Sequence, residues 1–230
     1  GIPETAPIVV KARELGIPVI SEIEFAARYT NAIKICITGS NGKTTTTKLI
    51  YHILQKAGLN VGLAGNVGQS FAYQVATKEY DYYVIELSSF QLDNMYKFKS
   101  DLSVLMNITP DHLDRYDHKF QNYIDAKFRI LQNTTAKDSF IYCSDDEVII
   151  NEISKREILA TQLEFTQKKR KVKNGAMLSE DEKSIDYVNN SSKTLTMLID
   201  DLSIKGKHNV YNSMAAGIVA QVLNIRNDVI

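Results

Sequence analysis

The stretch Ile35-Cys36-Ile37-Thr38-Gly39-Ser40-Asn41-Gly42-Lys43-Thr44 constrains the fold more than any other part of the chain. An apolar run enters a Gly-rich turn, and the turn ends in Lys-Thr where helical periodicity begins. Strand, turn and helix in this order build a cradle for phosphate. Loop N–H groups and the positive end of the helix dipole face the anion. Lys43 adds a mobile point charge, and the Thr44 hydroxyl can sit on Mg²⁺. The spacing departs from the usual G-x-x-x-x-G-K-[ST]: Ile37 stands where the first Gly is expected, and the first Gly is Gly39. An ordinary strand-turn-helix connection with a surface Lys would share the local pattern. The order of strand, glycines, Lys and Thr favours the phosphate reading.

The rest of the chain repeats the alternation of strand and helix. Leu49, Ile50, Ile53 and Leu54 recur at helical spacing and stop at Gly58. Asn60 to Ala64 reads as a short strand closed by Gly65-Asn66-Val67-Gly68, followed by a helix over about 69–76. Tyr82 to Ser89 reads as a buried strand with Glu86 near its end. Leu102 to Ile108 and Phe140 to Cys143 are further apolar strands, and a helix is expected over Lys119 to Gln132. Continuous apolar strands separated by helices imply an α/β fold, a mostly parallel sheet covered on both faces. In such sheets ligands bind beyond the C-terminal strand ends. The polar clusters fall there: Gly39 to Thr44, Asn66, Glu86 to Gln91, and Asn107 to Asp114. After about Thr161 the pattern changes. Residues 162–205 carry the turn signals Asn174-Gly175, Ser179-Glu180-Asp181 and Asn189-Asn190-Ser191-Ser192, and read as a small antiparallel β portion. Gly206-Lys207-His208-Asn209 leads into a final helix bearing Met214, Ala215, Ile218, Val219 and Val222. Upstream, Ala6 to Leu15 reads as a helix stopped by Gly16, then a short strand at Pro18-Val19-Ile20. Ser21 and Glu24 form a capping-box pattern that starts a helix to about Tyr29.

Composition excludes some classes. Formal net charge is zero over 230 residues, which argues against binding a polyanion over the whole surface. Lys168-Lys169-Arg170-Lys171 is the one strong basic run. No aromatic interleaves with it and acidic residues follow, so it reads as a solvated hairpin and no nucleic-acid partner is expected. Cys36 and Cys143 lie inside apolar runs and read as small core residues. No apolar run approaches the roughly 18 to 20 residues that span a bilayer, and the first residues lack a basic, signal-like segment. A cytoplasmic protein without a membrane partner is expected.

Three further groups could carry chemistry. Glu86, late in an apolar strand, either holds Mg²⁺ opposite the phosphate loop or points to solvent at the sheet edge. Asp111-His112-Leu113-Asp114-Arg115-Tyr116 brings carboxylates, imidazole and guanidinium to one strand end, as a metal or oxyanion clamp or as a polar loop with internal ion pairs. Lys127 lies among Ala126, Phe128 and Ile130, a setting from which a lysine ordinarily snorkels to the surface.

Taken together, these residues resemble the Mur ligases of peptidoglycan synthesis. The loop Thr38 to Thr44 looks like that family's variant phosphate loop, which accounts for the missing glycine. Glu86-Leu87-Ser88-Ser89-Phe90-Gln91-Leu92 is similar to the form of the branch that adds D-glutamate. Asp111 to Tyr116 and Ala126-Lys127-Phe128-Arg129 follow at family-like spacing. Gly206-Lys207-His208-Asn209-Val210-Tyr211-Asn212 resembles the adenine-side motif, with Lys where Gln is common. The resemblance implies a P-loop-like central domain and an enzyme: an ATP-dependent ligase joining D-glutamate to the carboxyl of UDP-N-acetylmuramoyl-L-alanine through an acyl phosphate. It implies ATP and two Mg²⁺ as cofactors. Gly39, Ser40, Asn41, Gly42, Lys43, Thr44 and Thr45 would hold the phosphates. Thr44 and Glu86 would serve one Mg²⁺, and His112 with a carbamylated Lys127 the second, so that Lys43, His112 and Lys127 are the catalytic set. Asn66, Ser88 and His112 would approach the γ-phosphate or the substrate carboxyl, and Asn209 and Asn212 the adenine. It further implies residues 1–30 as the tail of a UDP-binding domain and linker, 31–225 as the ATP-binding domain and 226–230 as the start of a linker to a third domain. The whole would act as a monomer, and the 230 residues alone are not expected to ligate.

Overall fold

A computed structural model describes residues 2, 4–202 and 204–230. Its frame is set by strand β1 (Ile33–Thr38), whose side chains alternate between two cores. Ile35 and Ile37 enter one, and Cys36 enters the other. This is the period-two alternation of a strand buried on both faces. On the first face lie helices α3 (Lys43–Lys56) and α8 (Lys207–Val222), which contribute Ile50, Ile53, Leu54, Met214, Ile218 and Val219. On the second face lie α2 (Glu22–Ala27), α4 (Phe71–Thr77) and α5 (Ser89–Asp93). Farther along that face, α6 (Phe120–Phe128) and α7 (Glu147–Ile153) cover a third cluster around Phe140 and Tyr142.

The other strands are β2 (Val61–Gly65), β3 (Tyr82–Glu86), β4 (Leu102–Leu105), β5 (Ser139–Cys143), β6 (Thr161–Thr166), β7 (Gly175–Leu178), β8 (Ser184–Asn189) and β9 (Ser192–Leu198). Among the described residues they form one sheet in the order β2-β3-β1-β4-β5-β6-β7-β8-β9. Pairing is parallel from β2 through β7 and antiparallel from β7 to β9. The strand order reverses at β1, with β3 on one side and β4 on the other, so the crevice beyond β1 is where such a sheet receives a ligand.

Two expectations for residues 162–205 change. β6 and β7 belong to the parallel sheet, and only β8 and β9 run antiparallel. The Lys168–Lys171 run is therefore a crossover rather than a hairpin. A parallel connection ordinarily needs a helix. Here β7 starts beside Glu164, so the chain steps back only part of a strand and the loop 167–174 suffices. Arg170 pairs with Glu164, and Lys169 meets Glu182 at 3.1 Å. The expected strand at 18–20 joins no sheet: the segment carries no strand pairing, and Pro18 has no N–H to offer a ladder. No helix among the described residues is long and apolar enough to cross a membrane. Both thiols are buried, and burial pushes each up to about 12, which removes thiolate chemistry.

Helices α1 (Pro7–Glu14) and α2 differ in how they attach. In α1 only Val9 is buried, while Ile8 and Leu15 are exposed. In α2, Ile23 and Ala26 sit in the second core. Ser21 caps α2, accepting from the Glu24 N–H at 3.1 Å. Glu24 does not complete the capping box. Its carboxylate turns inward, accepting from the N–H groups of Tyr96, Lys97 and Phe98 at 3.1, 3.1 and 2.7 Å and from Arg28 at 2.9 Å. Burial pushes this carboxyl up, but Arg28 and the three N–H groups together outweigh it and hold the pKa below the usual range. The contribution is thus present above the unfolded carboxyl's pKa and fades as pH falls through the lower folded one. Glu24→Ala would leave buried N–H groups unpaired and is expected to destabilise the fold by about 3 kcal/mol at neutral pH, read by denaturant unfolding, with the difference from wild type shrinking on acidification.

Candidate functional site

The turn after β1 is shaped by two glycines. Gly39 has φ +150°, and a Cβ there would lie 3.0 Å from the Met106 Cβ and 3.2 Å from the Asn107 N. Gly42 caps α3 at φ +82°, a left-handed conformation, where a Cβ would meet the Asn212 Oδ1 at 2.8 Å. Between them Ser40 and Asn41 are tied to the chain following β4. The Ser40 N–H donates to the Asn107 carbonyl at 2.9 Å. The Asn41 N–H donates to Asn107 Oδ1 at 2.8 Å, and Asn107 Nδ2 returns to the Asn41 carbonyl at 3.0 Å. The Ser40 hydroxyl sits between Thr109 and Tyr123, donating to the Thr109 carbonyl at 2.9 Å and lying 3.1 Å from the Tyr123 hydroxyl. The first intrahelical bond of α3 is Thr46 N–H to the Gly42 carbonyl. The N–H groups before it open onto the space beyond β1, as at any helix start.

Lys43 donates to the Gly39 and Ser40 carbonyls at 2.7 and 2.9 Å. Burial lowers its pKa, against the opposing pull of Glu86 and Asp111. Thr44 and Thr45 are exposed on the first turn of α3. Glu86 ends β3 in register with Ile37 of β1 and is almost fully buried. Its Oε1 accepts from Asn66 Nδ2 at 2.9 Å, and Asn66 N–H bonds the Glu86 carbonyl. Its Oε2 is buried with no hydrogen-bond partner among the described residues. A carboxylate oxygen left that way is costly, and a divalent cation would satisfy it. Among the described residues no three His, Cys, Asp or Glu side chains gather at ligating spacing. A cation here would thus be held by Glu86 and by oxygens other than those of a protein carboxylate or imidazole cage.

Lys127 does not snorkel. It is 2% exposed on α6, with its ammonium 4.8 Å from the Tyr123 ring centre. It has no hydrogen-bond or ion-pair partner among the described residues. Burial pushes it down to about 7, the Lys43 charge adds to this, and Asp111 and Asp93 oppose it. His112 is 55% exposed in a left-handed conformation, its Nε2 3.5 Å from Asp111 and its ring against Phe90. Lys43, Glu86, Asp111 and Lys127 therefore share one electrostatic neighbourhood, and His112 stands at its rim. Ser88 caps α5 in a capping box with Gln91.

The adenine-side residues are placed differently from one another. Asn212 is buried and its amide is already engaged, accepting from the Thr46 hydroxyl at 3.0 Å and donating to Asn209 Oδ1 at 2.9 Å. It braces α8 against α3. Asn209 is only half-buried, at the mouth of that junction. Three residues to which sequence reasoning assigns no role touch the site: Asn107, which it places only at the start of a polar cluster, Tyr123 and Asp93, the last of which accepts from the Tyr116 hydroxyl at 2.9 Å. For Asn107 the one available signal is its position as the first polar residue after an apolar strand.

The lysine pair has a measurable signature. The folded pKa of Lys127 lies below its unfolded value, so between about pH 7 and the ordinary lysine range the unfolded chain binds more protons and stability rises with pH. Lys127→Met is expected to raise the melting temperature most below about pH 7, with the gain shrinking toward about pH 10, as read by thermal melts across that range.

Comparison with known proteins bears on the fold and the family. The Mur ligase middle domain family model matches residues 37–220. The UDP-N-acetylmuramoylalanine–D-glutamate ligase of Bacteroides fragilis is 56% identical over 234 aligned positions, covering 99% of this chain and 50% of that protein. The chain spans about half the length of the curated relatives it matches. Among solved structures, the murein peptide ligase Mpl of Psychrobacter arcticus is similar at TM-score 0.64 and 20% identity, covering 99% of this chain and 52% of that one. The MurF ligase of Thermotoga maritima, solved with ADP, is similar at TM-score 0.64 and 18% identity over 90% of this chain and 49% of its own. At those identities the structures speak to the fold alone. With residues 37–220 matched and the shared sheet in place, the chain belongs to the Mur ligase middle domain family.

Proposed function

We propose that this chain is the ATP-binding part of a cytoplasmic, monomeric ligase of peptidoglycan synthesis that joins D-glutamate to UDP-N-acetylmuramoyl-L-alanine. The observation that carries the reading is the buried Glu86, with an unpartnered oxygen, sharing a site with Lys43, Lys127 and the opening of α3. The substrates are suggested by the name of the Bacteroides fragilis relative at 56% identity. Residues 1–30 would belong to a UDP-binding domain and its linker, 31–225 to the ATP-binding domain, and 226–230 to the linker toward a third domain.

A carboxylate is a poor electrophile toward an amine, and its approach to a polyphosphate sets anion against anion. The protein's task is to hold and neutralise these groups. The N–H groups opening α3 face the β- and γ-phosphates. Lys43, now on the Gly39 and Ser40 carbonyls, swings to the γ-phosphate as a carboxylate oxygen of the substrate bonds its phosphorus and the bond to the β,γ-bridging oxygen breaks, releasing ADP. The amine of D-glutamate, in its neutral form, then attacks the acyl carbon; the C–N bond forms, the C–O bond to phosphate breaks, and inorganic phosphate leaves with the proton lost by the nitrogen. Mg²⁺, when bound, neutralises charge between phosphate oxygens. Glu86 and Thr44 would hold one ion, and His112 with Lys127 the other. For that second role Lys127 must be anionic. Its lowered pKa keeps a neutral amine available near neutral pH, and such an amine adds to CO₂ and loses a proton to become a carbamate. Asn66 and Ser88 flank the transferring group, and Asn209 reaches the adenine, with Asn212 behind it.

Two substitutions in the full-length protein test this. Lys43→Ala is expected to abolish ATP-dependent ligation with the fold intact by circular dichroism, and near-normal turnover would refute the loop assignment. Lys127→Ala is expected to lose activity and recover part of it with added short-chain carboxylates that replace the carbamate, whereas a fully active variant would remove Lys127 from the site.

A further inference from the structure

The phosphate loop does not hold its shape alone. Its two central residues are both bonded by one residue sixty-odd positions downstream, Ser40 by its backbone and Asn41 by its side chain. Asn107 follows β4, in line with the Thr38–Leu105 register pair, and Met106 N–H still bonds the Thr38 carbonyl. From that position it engages the loop three times. Its carbonyl accepts from Ser40 N–H, its Oδ1 from Asn41 N–H, and its Nδ2 donates to the Asn41 carbonyl. The last two pair the Asn107 side-chain amide with both backbone groups of Asn41, which fixes the orientation of the peptide on each side of its Cα. Gly39, lying against Met106 and Asn107, lets the loop approach closely enough for the pairing to form.

We propose that Asn107 is a positioning residue for the nucleotide: it turns the Ser40 and Asn41 peptides toward β4 and thereby leaves the N–H groups of Gly42 to Thr45 as the anion's donors. Two consequences follow from the hydrogen bonds themselves. The Ser40 and Asn41 N–H groups are engaged by Asn107 and do not serve the phosphates, so the wider set of loop donors suggested by the sequence narrows to the start of α3. The Asn41 carbonyl, which would repel a phosphate, is held on Asn107 Nδ2 and kept out of the anion's seat. The loop is ready before the ligand arrives, and the ordering cost of binding falls accordingly. Asn107 touches neither nucleotide nor substrate.

The proposal rests on residues 39–45 being the triphosphate site, and the test separates the two. In the full-length protein, Asn107→Ala is expected to raise the KM for ATP roughly tenfold, the size of a lost pair of loop contacts. The turnover number should change far less, and the KM for the amine and carboxylate substrates should not change. Asn107→Asp keeps the acceptor for Asn41 N–H but sets a carboxylate against the Asn41 carbonyl and beside the phosphates, so it should weaken ATP binding more than Ala does. A purely structural role predicts instead a lower melting temperature with the ATP KM unmoved, or Ala worse than Asp, and either result overturns the proposal. Hydrogen exchange reads the brace without nucleotide: the Asn41 amide, which loses its side-chain acceptor, should exchange faster in Asn107→Ala than in wild type, while the Ser40 amide keeps the backbone carbonyl of residue 107 as its acceptor, and unchanged exchange at Asn41 also overturns it. A wild-type protein that binds no Mg-ATP would overturn the nucleotide reading and the role in nucleotide positioning, while the exchange result would still decide whether Asn107 holds the loop.

Discussion

The parallel register of β1 with β3 and β4 is the constraint on which the site depends. It sets Ile37 beside Glu86 and Thr38 beside Leu105. The carboxylate ending β3, the glycine turn leaving β1 and Asn107 after β4 therefore emerge together at one sheet edge. Strands buried on both faces cannot slip by one residue without sending Ile35 and Ile37 to the core that receives Cys36. The packing of α3 and α8 on one face and of α2, α4 and α5 on the other is thus what aligns the chemistry.

That alignment gathers groups that would not stay together for stability alone. Among the described residues, Lys127 is buried near Lys43 with no partner of its own, and Glu86 carries a buried oxygen without a hydrogen bond. Each is costly in the absence of a counter-charge. The surrounding scaffold absorbs the cost through well-satisfied polar groups elsewhere. Glu24 closes the loop at 96–98, and Asp146 accepts from both Ile108 and Ile149 N–H groups at 2.8 and 3.0 Å. Buried charge without a counter-charge, gathered at one end of the sheet, is the pattern of a site prepared for a charged ligand.

Sequence reasoning reached much of this and missed parts for definite reasons. Helix α3 and strands β1 to β5 could be read because apolar periodicity is local, and the loop because glycine, lysine and threonine must be consecutive to work. The parallel pairing of β6 and β7 was not legible, since a short crossover and a hairpin share the same turn residues. Glu24 fits a capping-box pattern, yet a carboxylate three residues after a Ser can as well turn inward, and three N–H groups from a distant loop decided that it does. Lys127 looked like a snorkelling lysine because burial beside Tyr123 depends on how α6 packs.

The sequence by itself determined the order of strands and helices, the phosphate loop and the family resemblance, because these depend on residues close along the chain. Only the tertiary structure decided which strand lies beside β1, and with it that Asn107 bonds the loop, that Asn212 ties α8 to α3, and that a buried Lys127 feels the charge of a half-buried Lys43. Those are contacts between residues far apart in sequence, fixed by sheet order and by which helix covers which face, and no local pattern encodes them.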